Sequence, residues 1–254
     1  MRLTTRLFTS RSMPHKPIQV FNRHCGFSTV SQYKQNPPWF SREKCFRNLV
    51  STANPDLVDI NIIFDNARGE YGNHFLGQSN YTPHIITDGS EAGAFIKLLD
   101  HISSFGFEHN TIIYIVEDDY LHRPNWASVV IEGTKIISER IGEGFGSLYD
   151  HPDKMEPSIY PQLYSQIFCS KTTHWRTTPS TTNTYFGQYS AFQDSMEIQK
   201  AFSTGVSISR DHDKFISLLQ NGYGLITPVP GYSTHCVEGY LGTITDWSKL
   251  SIND

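Results

Sequence analysis

Hydrophobic and polar positions along the first half of the chain alternate between the period of strands and the period of helices. Short apolar runs bounded by turn residues predict strands, and apolar residues three and four positions apart between those runs predict helices. Such an alternation predicts a mostly parallel sheet with helices on both faces. The strands are predicted at 17–24, 59–65 and 111–116, and the helices at 41–52, 91–106 and 125–142.

The helix over 91–106 has the most regular pattern in the chain. Phe95, Leu98, Leu99 and Ile102 follow the i, i+3, i+4, i+7 spacing of one buried helix face, and Gly106 is a typical helix stop. The helix over 41–52 has Ser41 as its predicted N-cap residue.

The pattern changes after about residue 144. The segments that follow are rich in aromatic residues, Ser and Thr, with turn residues between them, and this predicts shorter, partly antiparallel strands. A helix is predicted again over 209–222, with Phe215, Leu218 and Leu219 facing inward. A strand and then a loop are predicted over 224–241, and the loop carries His235.

Composition indicates a folded globular protein. The chain has 254 residues, 38% of them hydrophobic and 18% charged, which is enough to fill a sizeable core. No apolar run approaches the ~20 residues of a membrane helix, so we expect a soluble, cytoplasmic protein without a transmembrane segment. The four cysteines form no CxxC pair, and thiols are expected rather than a disulfide or zinc framework.

Charge is unevenly distributed. Residues 1–42 contain seven Lys or Arg and no acid, whereas the remainder is acidic. Residues 1–14 have the Arg- and Ser-rich composition of an organelle-targeting segment, and a flexible basic tail is the alternative. The acidic remainder carries no basic patch, so nucleic acid is not an expected partner.

Acidic residues follow two of the predicted strands. Asp65 ends the second strand, and Glu117, Asp118 and Asp119 follow the third without a break. Ligands of open α/β sheets bind at these carboxyl ends. Adjacent carboxylates repel one another unless a cation compensates, and Mg²⁺ or Mn²⁺ binds carboxylates while leaving positions for phosphate. The alternative is that the acids cap the next helix or face water. Because of the repulsion, removal of Asp119 is expected to leave stability unchanged or to raise it.

The stretch VEDDY, residues 116–120, resembles the DxD-type motif of GT-A glycosyltransferases, in the nucleotide-diphospho-sugar transferase superfamily. The resemblance implies a GT-A-like, Rossmann-related α/β fold: a central, mostly parallel mixed sheet flanked by helices, with a partly antiparallel acceptor-side half. It also implies a single domain over 15–254, with a nucleotide-binding half (15–143) and an acceptor half (144–254). The implied activity is metal-dependent transfer of a sugar from a nucleotide-diphosphate sugar to an acceptor hydroxyl, with inversion.

The resemblance also implies roles for individual residues. Asp119 would bind Mn²⁺ or Mg²⁺, with His235 as a further ligand, and neutral imidazole suits Mn²⁺. Glu117 and Asp118 would lie near the ribose. Asp65 would contact the nucleoside, although an Asx turn at the strand end explains it equally well.

Further candidates lie in the second half. The resemblance implies that Asp211, just before a predicted helix, is the base that deprotonates the acceptor, with Asp213 as the alternative and helix capping as the structural explanation. Arg210 precedes Asp211 where GT-A inverting enzymes usually have Glu before Asp. This departure leaves open which residue is the base and whether transfer inverts the anomeric centre. Trp175 could offer a flat face to a sugar, and Arg176 could bind phosphate, in a Thr-rich segment that also suits strands.

Two other functions compete with the transferase. A metal-dependent phosphohydrolase would use the same acids to activate water, but it needs further acids or His around two metals. A catalytically inactive nucleotide-sugar-binding protein is the third reading. If Asp119 and His235 share one metal, their side chains must approach within about 5 Å.

Overall fold

The computed structural model describes residues 15–28 and 31–250, so the predicted tail or targeting segment over 1–14 lies outside the described residues. Within those two ranges, no helix has the length and apolar character needed to span a membrane.

Strands and helices alternate through the first half, as the pattern predicts. The strands are β1 (Ile18–Cys25), β2 (Val58–Asp65), β3 (His84–Ile86), β4 (Ile112–Glu117), β5 (Tyr120–His122), β6 (Glu143–Gly146), β7 (Ile167–Cys169), β8 (His174–Thr177), β9 (Tyr185–Gln188), β10 (Tyr223–Val229) and β11 (Ser233–His235). The α-helices are α1 (Arg42–Thr52), α2 (Glu91–Ser103), α3 (Trp126–Ile136), α4 (Tyr189–Asp194), α5 (Met196–Ala201) and α6 (Asp211–Gln220).

One sheet runs through both halves of the chain, in the order β3-β2-β1-β4-β9-β6-β10-β8-β7. Strands β3, β2, β1 and β4 are parallel neighbours. Beyond them, β9 is antiparallel to both β4 and β6, and β8 is antiparallel to β10 and β7. The result is the predicted mixed sheet, parallel in its first half and largely antiparallel in its second.

Helices cover both faces of the sheet because the central strands are apolar on both sides. Along β4, Tyr114 packs towards α3 and Ile113 packs towards α2, and both side chains are fully buried. The predicted α2 face is also fully buried. Each such Leu, Ile or Phe contributes about 1.5–3 kcal/mol through removal of its apolar surface from water.

Local signals set the helix ends. The Ser41 hydroxyl accepts the N–H of Lys44 at 3.1 Å, which confirms the predicted N-cap. One prediction on α6 is wrong: Phe215 and Leu218 are buried, but Leu219 is 52% exposed. Helix α6 is only ten residues long and covers the sheet with a narrow face, which Leu219 lies beside.

Gly133 in α3 allows the helix to lie against Trp175. A Cβ at Gly133 would lie 2.5 Å from the indole of Trp175 and 3.0 Å from the ring of Phe186. We expect Gly133→Ala to lower the free energy of unfolding by about 1 kcal/mol or more, because overpacking outweighs the gain in helix propensity. Urea unfolding measures this difference.

Gly72→Ala is the matched control, since nothing lies within 4 Å of its added Cβ. Its stability should stay within about 0.5 kcal/mol of the parent protein. If Gly133→Ala were more stable than the parent, as helix propensity on its own predicts, the close packing against Trp175 would be wrong.

Candidate functional site

The topology opens a cleft between β1 and β4. From β1 the chain passes through α1 to β2, which lies next to β1 on one edge. Helix α2 then connects β3 to β4, which lies next to β1 on its other edge. Loops at the carboxyl ends of these two neighbours therefore diverge, which is where ligands of such sheets bind. A cavity of about 270 Å³ lies at this position. Its lining includes six acids, namely Asp65, Glu91, Glu117, Asp118, Asp119 and Asp211.

Each of the three consecutive acids has its own basic partner. Arg23 Nη2 lies 2.9 Å from Glu117 Oε1. Arg42 Nε lies 3.1 Å from Asp118 Oδ2. Lys34 Nζ lies 2.7 Å from Asp119 Oδ2. These pairs explain how three adjacent carboxylates are tolerated at a strand end, because each negative charge is compensated locally.

Sequence reasoning missed these three cations. They come from β1, from the following loop and from the first residue of α1, all within the acid-free stretch over 1–42. That excess of Lys and Arg was the available signal, but it pointed equally to a tail or a targeting segment.

Asp119 and His235 meet because β5 pairs with β11. In this antiparallel pair His235 lies opposite Tyr120, and the N–H of Cys236 donates to the carbonyl oxygen of Asp119 at 2.8 Å. His235 Nε2 lies 3.0 Å from Asp119 Oδ2, within the predicted 5 Å. The prediction that His235 lies in a loop is wrong, since it ends a short strand. The ring of Tyr120 stacks on the imidazole with centroids 5.1 Å apart.

The paired acids differ in their electrostatics. Burial would raise the pKa of Asp119, but His235 and Lys34 outweigh burial and hold that pKa well below its usual range. Burial raises the pKa of Asp118 to about 6, against the opposing charge of Arg42 and with the help of the neighbouring charge on Asp119.

The helix-capping explanation of these acids is wrong, because α3 begins only at Trp126 and its N-cap residue is Asn125.

The Asp119–His235 pair has the donor chemistry for a divalent ion. Asp119 Oδ1 is buried and has no hydrogen-bond partner among the described residues, and carboxylate oxygen with imidazole nitrogen suits Mn²⁺. In the described part of the chain, no group of three or more His, Cys, Asp or Glu is arranged to hold a metal. Other ligands of an ion at this pair would therefore have to come from substrate or water.

Arg23 joins three elements beneath the cavity. Its guanidinium lies 2.8 Å from Glu91 Oε1 at the start of α2, in addition to its contact with Glu117 at the end of β4. Glu91 also accepts the side-chain N–H of Asn183 at 3.0 Å and the backbone N–H of Ser209 at 2.7 Å. Burial would raise the pKa of Glu91, but Arg23 and the Ser209 N–H bring it to about 2. This network fixes the segment that leads to Asp211.

Asp211 faces the same cavity as Asp119, from the first turn of α6. Its Oδ1 is buried without a hydrogen-bond partner among the described residues, and Lys214 Nζ lies 3.8 Å away. Burial raises the pKa of Asp211 to about 7, although Lys214 opposes the shift. A carboxyl group with such a pKa can exchange a proton near neutral pH. Asp213, the alternative base, is exposed and is not part of the cavity lining.

Asp65 organises the loops at one side of the cavity. Its carboxylate accepts the backbone N–H groups of Ala67 at 3.1 Å, Asp88 at 3.0 Å and Gly89 at 2.8 Å. The contact with Ala67 forms the Asx turn that the sequence predicts as the alternative role of Asp65 at the strand end. Since Asp65 also lines the cavity, its contact with a nucleoside stays a prediction.

Trp175 and Arg176 do not reach the cavity. Trp175 is fully buried between the sheet and α3, and its indole N–H donates to Ser170 Oγ at 3.2 Å, so the predicted sugar-stacking face is wrong. Arg176 lies 2.5 Å from Asp150, and this ion pair occupies the guanidinium predicted to bind phosphate. Residues 174–177 of the Thr-rich segment form β8 instead, in agreement with their β-propensity.

No family model matches the sequence, and no curated protein matches it. Solved structures do match. A crystal structure of GalNAc-T7 with UDP, GalNAc and Mn²⁺ aligns with a TM-score of 0.51 and 10% identity, over 90% of this chain and 45% of that chain. This chain thus spans less than half the length of GalNAc-T7.

A CMP:2-keto-3-deoxy-manno-octonic acid synthetase complexed with CTP aligns with a TM-score of 0.46 and 11% identity, over 85% of this chain and 92% of that chain. At 10% identity the likeness to GalNAc-T7 concerns the fold alone, and it confirms the predicted fold class. The chain has an α/β fold similar to the GT-A fold, with helices on both faces of a large mixed sheet.

Proposed function

We propose that this protein is a glycosyltransferase that moves a sugar from a nucleotide-diphosphate sugar to an acceptor hydroxyl. The observation that carries the proposal is the convergence of the Asp119–His235 pair and Asp211 on one cavity at the β1/β4 switch point. The Asp119–His235 pair suits a cation that faces a diphosphate, and the carboxyl group of Asp211 suits proton transfer. The similarity of fold to GalNAc-T7, solved with UDP and Mn²⁺, supports the same reading.

In the proposed reaction, Asp211 removes the proton of the acceptor hydroxyl. The acceptor oxygen then forms a bond to the anomeric carbon as the bond from that carbon to the diphosphate oxygen breaks, and the nucleoside diphosphate leaves with the electron pair. A single displacement of this kind inverts the anomeric centre. The raised pKa of Asp211 makes its carboxylate a stronger base than an exposed Asp, which favours this step near neutral pH.

Asp119 and His235 would hold Mn²⁺ or Mg²⁺, which would neutralise the diphosphate as it leaves. Glu117 and Asp118 are expected to face the ribose from the same strand end. A two-metal phosphohydrolase would need a larger group of ligands. The described residues contain no such group, so we prefer the transferase.

We expect UDP-, GDP- or dTDP-sugars to stabilise the protein selectively, with one nucleotide preferred and with dependence on Mn²⁺. At a donor concentration of about 100 times Kd, the melting temperature should rise by about 5 °C or more. The measurement is a thermal shift with each donor, with and without Mn²⁺, followed by a turnover assay with the stabilising donor. Stabilisation without turnover for any acceptor would indicate an inactive binding protein, and no stabilisation by any donor would contradict the proposal.

A further inference from the structure

The Asp119–His235 pair already has a cation, which is the ammonium group of Lys34. Lys34 Nζ lies 2.7 Å from Asp119 Oδ2 and 3.0 Å from His235 Nε2. Nε2 lies 3.0 Å from Oδ2, and it is the imidazole nitrogen facing Asp119 that a divalent ion shared by the pair would bind. The three atoms form a closed triangle, so Lys34 and a metal cannot both use Nε2.

The ammonium group of Lys34 can bind Asp119 and His235 and can also move away from them. It lies in the loop between β1 and α1, and its side chain is 24% exposed, whereas that of Asp119 is 8% exposed. A four-carbon stem gives the ammonium several positions within reach of the same cavity, which it lines together with Asp119. Departure from Asp119 therefore need not move the backbone.

We propose that Lys34 is a built-in counter-ion that a divalent metal displaces from Asp119 and His235, and that the displaced ammonium then binds the diphosphate of the donor. This inference rests on the proposed function. One side chain would thus oppose binding of the metal and favour binding of the nucleotide. A compact ammonium is a common partner of phosphate oxygens in proteins.

Two effects of opposite sign follow from neutralising Lys34. Without nucleotide, Lys34→Gln should bind Mn²⁺ about 10-fold more tightly than the parent protein, because no internal cation has to leave. With saturating Mn²⁺, the same variant should bind the nucleoside diphosphate about 10-fold more weakly, because the diphosphate has lost a charged donor. A side chain with a merely structural role would not produce opposite changes in the two affinities.

The experiment titrates Mn²⁺ into the full chain and follows the electron paramagnetic resonance signal of the free ion, without nucleotide. Lys16→Gln is the matched control, because Lys16 also pairs with an acid, Asp59 at 3.0 Å, but lies before β1 at the opposite end of the strand. Lys34→Ala serves as a second neutral variant should Lys34→Gln fail to fold, and both are checked by thermal melting. UDP, GDP and dTDP are then titrated by calorimetry with Mn²⁺ present.

Tighter Mn²⁺ binding by Lys34→Gln or Lys34→Ala, with Lys16→Gln unchanged, is the expected result. Equal Mn²⁺ affinity in the parent and the variants would overturn the displacement, and so would the absence of Mn²⁺ binding in all of them. If none of the nucleotides bound to the parent protein, the proposed function would fail, whereas the Mn²⁺ titration would still decide whether Lys34 competes with metal.

Discussion

Asp211→Asn is expected to bind the donor normally and to transfer sugar more slowly by a factor of about 10² or more. The amide keeps the shape of the side chain at the start of α6 but cannot accept the proton of the acceptor. The measurement is kcat for transfer together with donor affinity by calorimetry. Asp213→Asn is the matched control, since Asp213 is two residues away, exposed and outside the cavity, and its transfer rate should be unchanged. The opposite outcome, loss of transfer in Asp213→Asn only, would make Asp213 the base.

The pH dependence follows from the same carboxyl group. Because its pKa in the folded protein is raised to about 7, transfer should rise with pH through a midpoint near 7 and level off above it. Stability has the opposite slope. The folded state keeps a proton that the unfolded chain releases above about pH 4, so this residue makes the protein less stable as pH rises from about 4 to 7. Asp211→Asn should remove that loss and should melt no lower than the parent protein at pH 8.

Asp119→Ala is expected to abolish Mn²⁺-dependent donor binding and to destabilise the protein in the absence of metal. The folded state holds the pKa of Asp119 well below its usual range, so the carboxylate contributes stability at pH 7. This contribution is present above about pH 4 and is lost as pH falls through the depressed pKa. Removal leaves Lys34 without its carboxylate, and because Lys34 can partly reach water we expect a loss of about 1–3 kcal/mol.

Urea unfolding at pH 7 without metal, together with donor titrations with and without Mn²⁺, measures both effects. Asp213→Ala is the control, for which neither quantity should change. An Asp119→Ala protein that still bound donor in a Mn²⁺-dependent manner would remove Asp119 from the metal site. The expected loss of stability has the opposite sign to the change that repulsion among three adjacent acids predicts, because each acid is paired with a cation.

The pattern of apolar residues was sufficient to predict three of the elements that carry the site. The strands that end at Asp65 and at Glu117 are found where the sequence places them, and so is the helix that Asp211 begins. Parallel strands bring their carboxyl ends to one edge, so the approach of these acids follows from fold class. The approach of His235 to Asp119 was predicted from the resemblance, but the pairing of β5 with β11 that produces it was not.

The errors arise where contacts between distant segments decide the outcome. Trp175 is aromatic and stands among Thr residues, and no local pattern distinguishes a stacking platform from a core residue. Its burial depends on Gly133, which lies 42 positions earlier in the chain and leaves room for the indole. The pairing of Lys34 with Asp119 spans 85 positions. It depends on the conformation of a loop, and the hydrophobic pattern of a loop has no period from which its conformation could be predicted.

The ion pair between Arg23 and Glu117 also bears on how the sheet assembles. The two residues are direct neighbours in the parallel register of β1 and β4, although they are 94 positions apart in the chain. A shift of one residue would turn the side chains of β4 to the opposite face, and a shift that sets Val116 opposite Arg23 would separate Glu117 from its cation. A misaligned sheet therefore leaves Glu117 without its cation at the carboxyl edge, although Arg23 keeps its ion pair with Glu91. The acidic end of β4 thus favours correct strand alignment during folding, before any ligand is present.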